Sequence, residues 1–285
     1  CCRVIFGEAD GFPGLTVDKF HDLLSVQIAS LGMEQRRDEI LPLLAAILEE
    51  DGFSVRGIFL RNDLALRDLE GLPRETGWYP LPGKALPDSP VTEIRENGIR
   101  YLVDVEHGQK TGFFLDQKFN RRAVARLAKG RTVLDCFTHT GSFALNAAMG
   151  GAAHVTAVDV SPEAIAMARE NAERNGLLDR MDFVTADVFD YLPSLEKARP
   201  FDFIILDPPA FTKSRQTAAQ AERGYKEINL RAMKMIRPGG FLVTCSCSQH
   251  IVPTLFRDIV LDAAKDARVQ LRQVEAERDV LARFP

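Results

Sequence analysis

The sequence predicts an α/β protein whose larger part is a doubly wound parallel sheet, preceded by a smaller α+β domain. From about Val133 onward, short apolar runs alternate regularly with helical patterns, which is typical of βαβ units. Several of these runs end in an acidic residue. The earlier part lacks this regular alternation and contains a segment rich in proline and glycine. We therefore expect two domains, at residues 1–106 and 107–285.

Six strands are predicted in the larger domain, at residues 132–137, 154–160, 181–187, 201–207, 240–246 and 269–275. Helices are predicted between and after them, at residues 142–149, 161–175, 188–196, 215–236 and 253–266. The second of these helices has the clearest start, because Ser161 is a favoured N-cap and Pro162 suits the first helical position. Asn175 and Gly176 are expected to end it.

The smaller domain is predicted from weaker patterns. Strands are expected near residues 3–8, 23–29 and 56–61, with an amphipathic helix at about 34–50. Residues 71–90 are rich in proline and glycine and are interpreted as a linker or a large loop. Residues 91–105 then alternate apolar and polar side chains around Asn97 and Gly98, which predicts a hairpin with a two-residue turn.

The composition limits the classes of function. The formal net charge of −4 lacks the overall basic character of proteins that hold nucleic acid by charge alone. Any such contact must use a local patch, and the candidates are residues 121–131, which include Arg121, and a second segment that contains Lys213. A solvated helix face or loop is the alternative interpretation of each.

The chain shows no sign of a membrane or secreted protein. No apolar run approaches the roughly 18 residues of a membrane span, and no secretory signal is recognised near Cys1. The five cysteines lack framework spacing, which favours free thiols in a reducing compartment, so a cytoplasmic location is expected. The histidines lack metal-ligand spacing, so no metal is expected. The sequence is compatible with a homodimer.

The loop after the first strand of the larger domain is the predicted cofactor loop. In an open parallel sheet, ligands bind outside the carboxyl ends of the strands. This loop runs from Asp135 to Gly141 and includes Phe137 and Thr138. It lacks the G-x-G-x-x-G spacing of dinucleotide sites, so pyrophosphate binding is not favoured.

Two further acids follow the next two strands. Asp159 ends the second strand, where its carboxylate can accept hydrogen bonds from both hydroxyls of a ribose. Asp187 ends the third strand, where it can accept one from an adenine amino group. The adjacent Val160 and Val188 are expected to line the same site. A lone aspartate at a strand end is more often a helix cap, but three at successive strand ends favour a ligand.

The fourth strand ends in Asp207, followed by Pro208 and Pro209. The two prolines fix φ and remove two backbone donors, which gives a rigid shelf for a planar base. Phe211 is a candidate to stack on that base, an interaction worth about 1–3 kcal/mol. A tight proline turn that leads into a helix is the alternative interpretation.

Two cysteines, Cys245 and Cys247, lie at the end of the fifth strand. Side chains at i and i+2 of a strand share a face, so either thiol is a candidate nucleophile beside the shelf. C5 of a pyrimidine becomes reactive once a thiolate adds to C6, whereas an amine acceptor needs no thiol. Two buried small apolar side chains are the alternative.

Four segments carry a family resemblance, at residues 7–20, 108–122, 206–215 and 244–248. They resemble those of the rRNA large-subunit methyltransferase I family, whose catalytic domain is a Rossmann-like class I S-adenosylmethionine-dependent methyltransferase. The resemblance covers essentially the whole chain. It implies S-adenosylmethionine as cofactor, and methylation of cytosine C5 in 23S rRNA through a cysteine-linked covalent intermediate.

The resemblance also implies roles for individual residues. Those flanking the methionine end of the cofactor would be Lys110, Thr111, Phe113 and Asp116. Cys247 would be the nucleophile, because the family places it in the final Ser-Cys-Ser, and Cys245 is the second candidate. Asp207 would contact the cofactor and the N3 or N4 edge of cytosine. Many RNA cytosine-C5 methyltransferases have a second cysteine that assists product release, and Ala210 stands at that position here.

Two departures from the family pattern are expected to matter. Members usually carry an N-terminal PUA RNA-binding domain, which would precede Cys1, and a seventh, antiparallel strand for which Pro285 comes too early. We therefore expect a chain that is truncated at both ends relative to the family. Two alternative functions stay open, namely methylation of a base nitrogen in guanine or adenine, and RNA binding without catalysis.

Overall fold

The computed structural model describes residues 1–198, 200–212, 217–248 and 250–271. The chain forms two compact units, of which the first comprises Cys1–Lys118 and the second begins at Phe119.

The boundary between the units lies after the position expected from the sequence, which was residue 106. Residues beyond that position remain in the first unit because they are hydrogen-bonded to its sheet. The Arg61 guanidinium donates to the Gly108 carbonyl oxygen at 2.8 Å. The Thr111 hydroxyl donates to the Asp18 carboxylate at 2.6 Å.

The first unit contains a five-stranded mixed sheet and a separate hairpin. The sheet strands, in both chain order and spatial order, are β1 (Cys2–Phe6), β2 (Leu15–Phe20), β3 (Leu23–Ile28), β4 (Gly57–Asn62) and β5 (Glu75–Tyr79). Helices α1 (Leu31–Glu34) and α2 (Arg37–Glu50) connect β3 to the parallel β4. The hairpin strands are β6 (Val91–Glu96) and β7 (Ile99–Asp104), and they confirm the predicted two-residue turn, since Asn97 and Gly98 both have positive φ.

Two strands of this unit were not predicted. The apolar pattern of β2 is interrupted by Asp18 and Lys19, yet both are buried, and Asp18 accepts two hydrogen bonds of 2.8 Å from Arg3. Strand β5 lies inside residues 71–90, where a linker or large loop was expected, and it pairs antiparallel with β4. The interpretation of the whole segment as a linker or loop was therefore wrong.

The second unit contains a five-stranded, entirely parallel sheet in the order β10-β9-β8-β11-β12. Its strands are β8 (Thr132–Cys136), β9 (His154–Asp159), β10 (Met181–Thr185), β11 (Phe203–Leu206) and β12 (Phe241–Thr244). The flanking helices are α3 (Lys118–Leu127), α4 (Ser142–Met149), α5 (Pro162–Arg174), α6 (Val188–Leu195), α7 (Ala218–Met235) and α8 (Pro253–Ala267). This architecture confirms the predicted fold class. The strand order reverses at β8, so a ligand crevice is expected at the carboxyl end of this strand.

Most predicted elements of this unit are confirmed, with slightly different ends. The Ser161 N-cap is among them, since its hydroxyl accepts a hydrogen bond from the Ala164 amide at 3.1 Å. The sixth predicted strand, 269–275, is not found, because residues 269–271 lie outside any strand and residues 272–275 lie outside the described residues. Residues 215 and 216, which begin the helix predicted at 215–236, also lie outside the described residues.

Buried apolar side chains hold the sheet and helices of the second unit together. Strands β8 and β11 at its centre are almost fully buried, which is typical of a parallel sheet covered on both faces. One core cluster joins residues of β8 and β11 to residues of α6, α7 and α8, among them Leu134, Leu206, Leu192, Tyr225 and Ile259. The loops at the carboxyl edge are therefore anchored on a rigid framework. Within the described residues, no helix combines the length and apolar character needed to cross a bilayer.

Candidate active site

The loop after β8 has an unusual backbone conformation. Phe137, His139 and Gly141 all have φ in the left-handed region, at 63°, 51° and 83°. Non-glycine residues there cost on the order of 1–3 kcal/mol each, and such strain is concentrated at functional sites. Part of the compensation comes from the His139 amide, which donates to the Asp159 carboxylate at 2.8 Å. Burial lowers the pKa of the His139 imidazole, although the nearby Asp159 charge opposes this effect.

Asp135 is buried at the end of β8 with one carboxylate oxygen unpaired. Its Oδ2 accepts hydrogen bonds from the Thr138 hydroxyl at 2.6 Å and the Ala144 amide at 2.9 Å. Its Oδ1 is buried and has no partner among the described residues. Burial raises the pKa of Asp135 to about 7, the charges of Asp207 and Asp159 add to the rise, and the two hydrogen bonds oppose it. A ligand that brings a hydrogen-bond donor would satisfy the unpaired oxygen.

Asp159 and Asp187 both accept hydrogen bonds from backbone amides at this edge of the sheet. Asp159 accepts from the His139 amide and, at 3.0 Å, from the Ser161 amide. Asp187 is the N-cap of α6 and accepts from the Phe189 amide at 2.8 Å. The helix-cap alternative therefore holds for Asp187. Each carboxylate oxygen can accept a second hydrogen bond, so these contacts leave room for a ligand on both residues.

The two valines beside these acids differ in exposure. Val160 is 67% exposed, whereas Val188 is 2% exposed and belongs to the core cluster. The side chain of Val188 therefore packs inside the unit, and only its backbone is suited to the ligand contact that the sequence predicted.

Strands β11 and β12 bring the Asp-Pro-Pro turn and the two cysteines to the same edge of the sheet. Leu206 pairs with Thr244, the last residue of β12, and the Cys245 amide donates to the Leu206 carbonyl oxygen at 2.8 Å. The exposed thiol of Cys247 donates to the Pro208 carbonyl oxygen, with an Sγ to O distance of 3.7 Å. Both cysteines lie beyond β12, which ends at Thr244 and not at the predicted residue 246, so the shared face of a strand does not extend to them.

The turn itself is anchored in the core. Asp207 is half-buried, Pro208 is buried and Pro209 is exposed. The half-buried Phe211 packs its ring against Tyr225, with 4.6 Å between centroids, and near Phe189, at 5.9 Å. Phe211 therefore fixes the turn to the unit, and stacking on a base stays a prediction.

Comparison with known proteins identifies the family. The family model described as S-adenosylmethionine-dependent methyltransferase matches residues 81–279. "Ribosomal RNA large subunit methyltransferase I" of Aeromonas salmonicida (strain A449) is 45% identical over 93% of this chain and 65% of its own length. The protein of the same name from Escherichia coli (strain K12) is 39% identical over 99% of this chain and 71% of its own length. The chain belongs to this methyltransferase family.

Solved structures share the fold of this methyltransferase. A protein from Streptococcus mutans assigned as a SAM-dependent methyltransferase is 27% identical, with a TM-score of 0.74 over 92% of this chain and 65% of that chain. The structure of SMU.776 complexed with SAH is 26% identical, with a TM-score of 0.75 over the same shares. The chain thus spans about two thirds of the length of these proteins.

The cofactor of the family is S-adenosylmethionine, and the carboxyl edge of β8 and β9 fits it chemically. The unpaired, buried Oδ1 of Asp135 suits an ammonium or hydroxyl donor, and the Asp159 carboxylate keeps lone pairs for the hydroxyls of a ribose. Among the described residues, no group of three or more potential metal ligands is present.

Arg121, which was predicted to contact the RNA substrate, is buried. The Arg121 side chain is 1% exposed, so it cannot contribute to a solvent-facing basic surface, and this prediction was wrong. Arg121 lies on the same face of α3 as the buried Val124, three residues later. The exposed basic residues of this region are Arg122, Arg126 and Lys129. Lys213, the other predicted basic contact, lies outside the described residues.

The four residues that the resemblance assigns to the methionine end of the cofactor belong to the first unit. Thr111 and Phe113 are buried there, Thr111 donating to Asp18 and Phe113 packing 5.2 Å from the Tyr101 ring. Lys110 is exposed, with its ammonium 4.7 Å from the centroid of the Phe114 ring. Asp116 is half-buried. Their contacts with a cofactor stay predictions.

Tyr225, which lies directly behind the site, is not among the residues predicted from the sequence. Its side chain is fully buried, and its hydroxyl is 2.9 Å from the Ser248 hydroxyl. Tyr225 occupies the apolar face of α7, so in sequence it is indistinguishable from an ordinary core residue.

Proposed function

We propose that this methyltransferase transfers a methyl group from S-adenosylmethionine to C5 of a cytosine in large-subunit ribosomal RNA, with Cys247 as the nucleophile. The names of its relatives support the ribosomal substrate, which also implies a cytoplasmic location. The observation that carries the cytosine assignment is the exposed Cys247 thiol, 3.7 Å from the carbonyl oxygen of Pro208 in the Asp-Pro-Pro turn. An enzyme that methylates an amine needs no thiol at this position.

In the proposed reaction, the Cys247 thiolate forms a bond to C6 of the cytosine, and C5 becomes an enamine carbon. The bound cofactor supplies an electrophilic methyl group at its sulfonium. After C5 has taken this group, a base removes the C5 proton, and the bond between C6 and sulfur breaks. The products are 5-methylcytosine, SAH, a proton and the free thiolate. Ala210 replaces the cysteine that assists this release elsewhere, so the base is a different side chain or water.

Asp207 is proposed to hold the reacting base. It immediately precedes Pro208, whose carbonyl oxygen accepts the hydrogen bond from Cys247, and its charge helps to raise the pKa of Asp135. A hydrogen bond to the N3 or N4 edge of cytosine would hold the ring against the shelf of Pro208 and Pro209. The same contact would offset charge that develops on the ring as the thiolate adds.

The acids at the carboxyl edge are proposed to hold the cofactor. Asp159 would accept from both ribose hydroxyls, Asp187 from the adenine amino group, and the buried Oδ1 of Asp135 from the amino acid end. The strained segment from Phe137 to Gly141 would present backbone groups to the same ligand. The left-handed residues of this loop support the assignment, because strain of this kind persists where function requires it.

Replacing Asp159 by alanine is predicted to weaken binding of S-adenosylmethionine about tenfold to hundredfold. The reason is that two ribose donors would lose their acceptor, which costs roughly 1–3 kcal/mol. Isothermal calorimetry measures the dissociation constant. Asp182→Ala, which removes an exposed acid near the other end of the sheet, is the control and should bind like the wild type. An unchanged constant for Asp159→Ala rules out the assignment.

The exposed basic surface of Arg122, Arg126 and Lys129 is proposed to contact RNA phosphates. These residues lie on a stripe along α3 and the turn after it, together with Phe119, which is 50% exposed. A stripe that combines basic and aromatic side chains suits a nucleic acid strand.

Replacing these three basic residues by alanine is predicted to flatten the slope of log affinity for RNA against log salt concentration by about 2. Each phosphate contact contributes roughly 0.7–0.9 to that slope. Fluorescence anisotropy at several salt concentrations gives the slope. A triple variant of the exposed Arg180, Arg223 and Arg257 removes the same charge elsewhere on the unit and serves as the control. Equal slopes for the two triple variants would show that the basic surface of α3 faces solvent and does not contact RNA phosphates.

Methylation of a base nitrogen is the second candidate, because turns with an acid, two prolines and an aromatic residue also occur in methyltransferases that act on exocyclic amines. This reaction would use the same cofactor site and neither cysteine. Ribosomal RNA treated with the enzyme and a cofactor labelled in its methyl group, then digested and analysed by mass spectrometry, distinguishes the two. Label in 5-methylcytosine supports the proposed function, and label in a methylated guanine or adenine refutes it.

A further inference from the structure

We infer that Tyr225 is a positioning residue whose side chain sets the distance between the Cys247 segment (residues 245–248) and the Asp-Pro-Pro turn, with the hydroxyl holding the Cys247 segment. The inference rests on the proposed role of Cys247 as nucleophile. It concerns a residue of α7 that is not adjacent in sequence to either segment.

The Tyr225 side chain contacts both segments. On one side its hydroxyl lies 2.9 Å from the hydroxyl of Ser248, the residue that follows Cys247. On the other side its ring packs against the ring of Phe211, at the end of the Asp-Pro-Pro turn, with 4.6 Å between the centroids. One buried side chain therefore links the candidate nucleophile to the candidate base shelf.

The ring of Tyr225 is itself held in place. It packs against Phe211 at 4.6 Å and edge-on against Phe256 at 5.3 Å. Phe211 in turn lies close to Gly224, where an added Cβ would come within 3.1 Å of the Phe211 ring. Because its ring is held by these contacts, the Tyr225 hydroxyl has a fixed position and can hold Ser248 in place.

The Cys247 segment needs such support because it lies beyond the sheet. β12 ends at Thr244, and the Cys245 amide forms the hydrogen bond to Leu206 just past the strand. Ser248 is buried, so its hydroxyl turns inward to Tyr225 while the thiol of the preceding residue is exposed. The inward anchor thus fixes which way Cys247 projects.

The electrostatic setting of Tyr225 agrees with positioning rather than proton transfer. Burial raises the pKa of the phenol, its hydrogen bonds oppose the rise, and a charge on Cys247 would raise it further. The hydroxyl therefore stays protonated at neutral pH, including when the thiolate forms. It does not serve as the base that removes the C5 proton.

The test compares Tyr225→Phe with wild type in covalent trapping on RNA that carries 5-fluorocytosine, under single-turnover conditions. The trapping rate should fall about tenfold to hundredfold, because small misplacement of a reacting group has effects of this size. The dissociation constants for S-adenosylmethionine and RNA should change less than twofold. Tyr191→Phe, another tyrosine packed against the same core cluster, is the matched control and should trap at the wild-type rate.

Ser248→Ala provides a second variant that leaves the aromatic packing intact. It should slow trapping to a similar extent, and the double variant should be little slower than either single one, since all three lack the same link. If Tyr225→Phe does not fold, Ser248→Ala decides the question. Wild-type trapping rates in both variants overturn the inference. Absence of trapping in the wild type overturns the proposed function instead, and with it the premise of the inference.

Discussion

Cys247→Ala is expected to lower the rate of RNA methylation by at least roughly 10³-fold, a loss typical of removing a catalytic nucleophile. Without a thiolate at C6, cytosine C5 is too weak a nucleophile to take the methyl group. Cys245→Ala should retain most of the activity, because the substitution keeps the backbone amide that donates to Leu206 and leaves the proposed nucleophile in place. Rates are measured by transfer of a labelled methyl group under single-turnover conditions.

Cys245→Ala is also the matched control for Cys247→Ala, since the two residues are separated by only one residue and differ in exposure. S-adenosylmethionine should bind both variants as it binds the wild type, which separates lost chemistry from lost structure. Activity that is lost in Cys245→Ala and kept in Cys247→Ala would assign the nucleophile to Cys245. Activity kept in both single variants and in the double variant would indicate a methyltransferase that acts on nitrogen.

Asp135→Asn is expected to remove a pH dependence of stability that the wild type shows between about pH 4 and pH 7. Burial raises the pKa of Asp135 to about 7 in the folded chain, against roughly 3.9 in an unfolded one. Between these values the folded state binds a proton that the unfolded state has released. The contribution of Asp135 to stability is therefore fully present below pH 4 and is lost as pH rises to 7, by up to about 1.4 kcal/mol per pH unit.

Asparagine at this position keeps an oxygen that can accept from Thr138 and Ala144 and carries no charge at any pH. Urea unfolding of both proteins at pH 5, 6, 7 and 8 gives the free energies. Because a chain of two units need not unfold in one step, the transition of the second unit is the one compared. The advantage of Asp135→Asn over wild type should grow with pH up to about 7. If the two proteins differed in unfolding free energy by the same amount at every pH, the pKa of Asp135 would not be raised in the folded chain.

The parts of the fold that follow from local pattern could be predicted from the sequence. A parallel sheet buried on both faces requires near-continuous apolar strands, and these were recognisable from the apolar runs alone. Their carboxyl ends share one edge, so Asp135, Asp159 and Asp187 could be placed there without knowing the strand order. The helix start at Ser161 could be predicted because capping is a local interaction.

What the sequence could not predict depends on contacts between distant residues. Strand β2 was missed because the cation that satisfies its buried Asp18 comes from another strand, at Arg3. Arg121 was taken for a surface residue since charge normally means exposure, yet it lies on the buried face of its helix. Tyr225 had no local signal at all, because its partners Phe211 and Ser248 come from two other segments.

The most direct test of the central claim is to identify the amino acid joined to the RNA after trapping. RNA with 5-fluorocytosine at the target should form a stable covalent complex in the presence of S-adenosylmethionine, because fluorine replaces the C5 proton whose loss precedes release. Digestion followed by tandem mass spectrometry of the cross-linked peptide locates the bond. We predict that the fluorinated, methylated nucleotide is attached to Cys247. Attachment to Cys245, or methylated RNA with no covalent complex, would contradict the account.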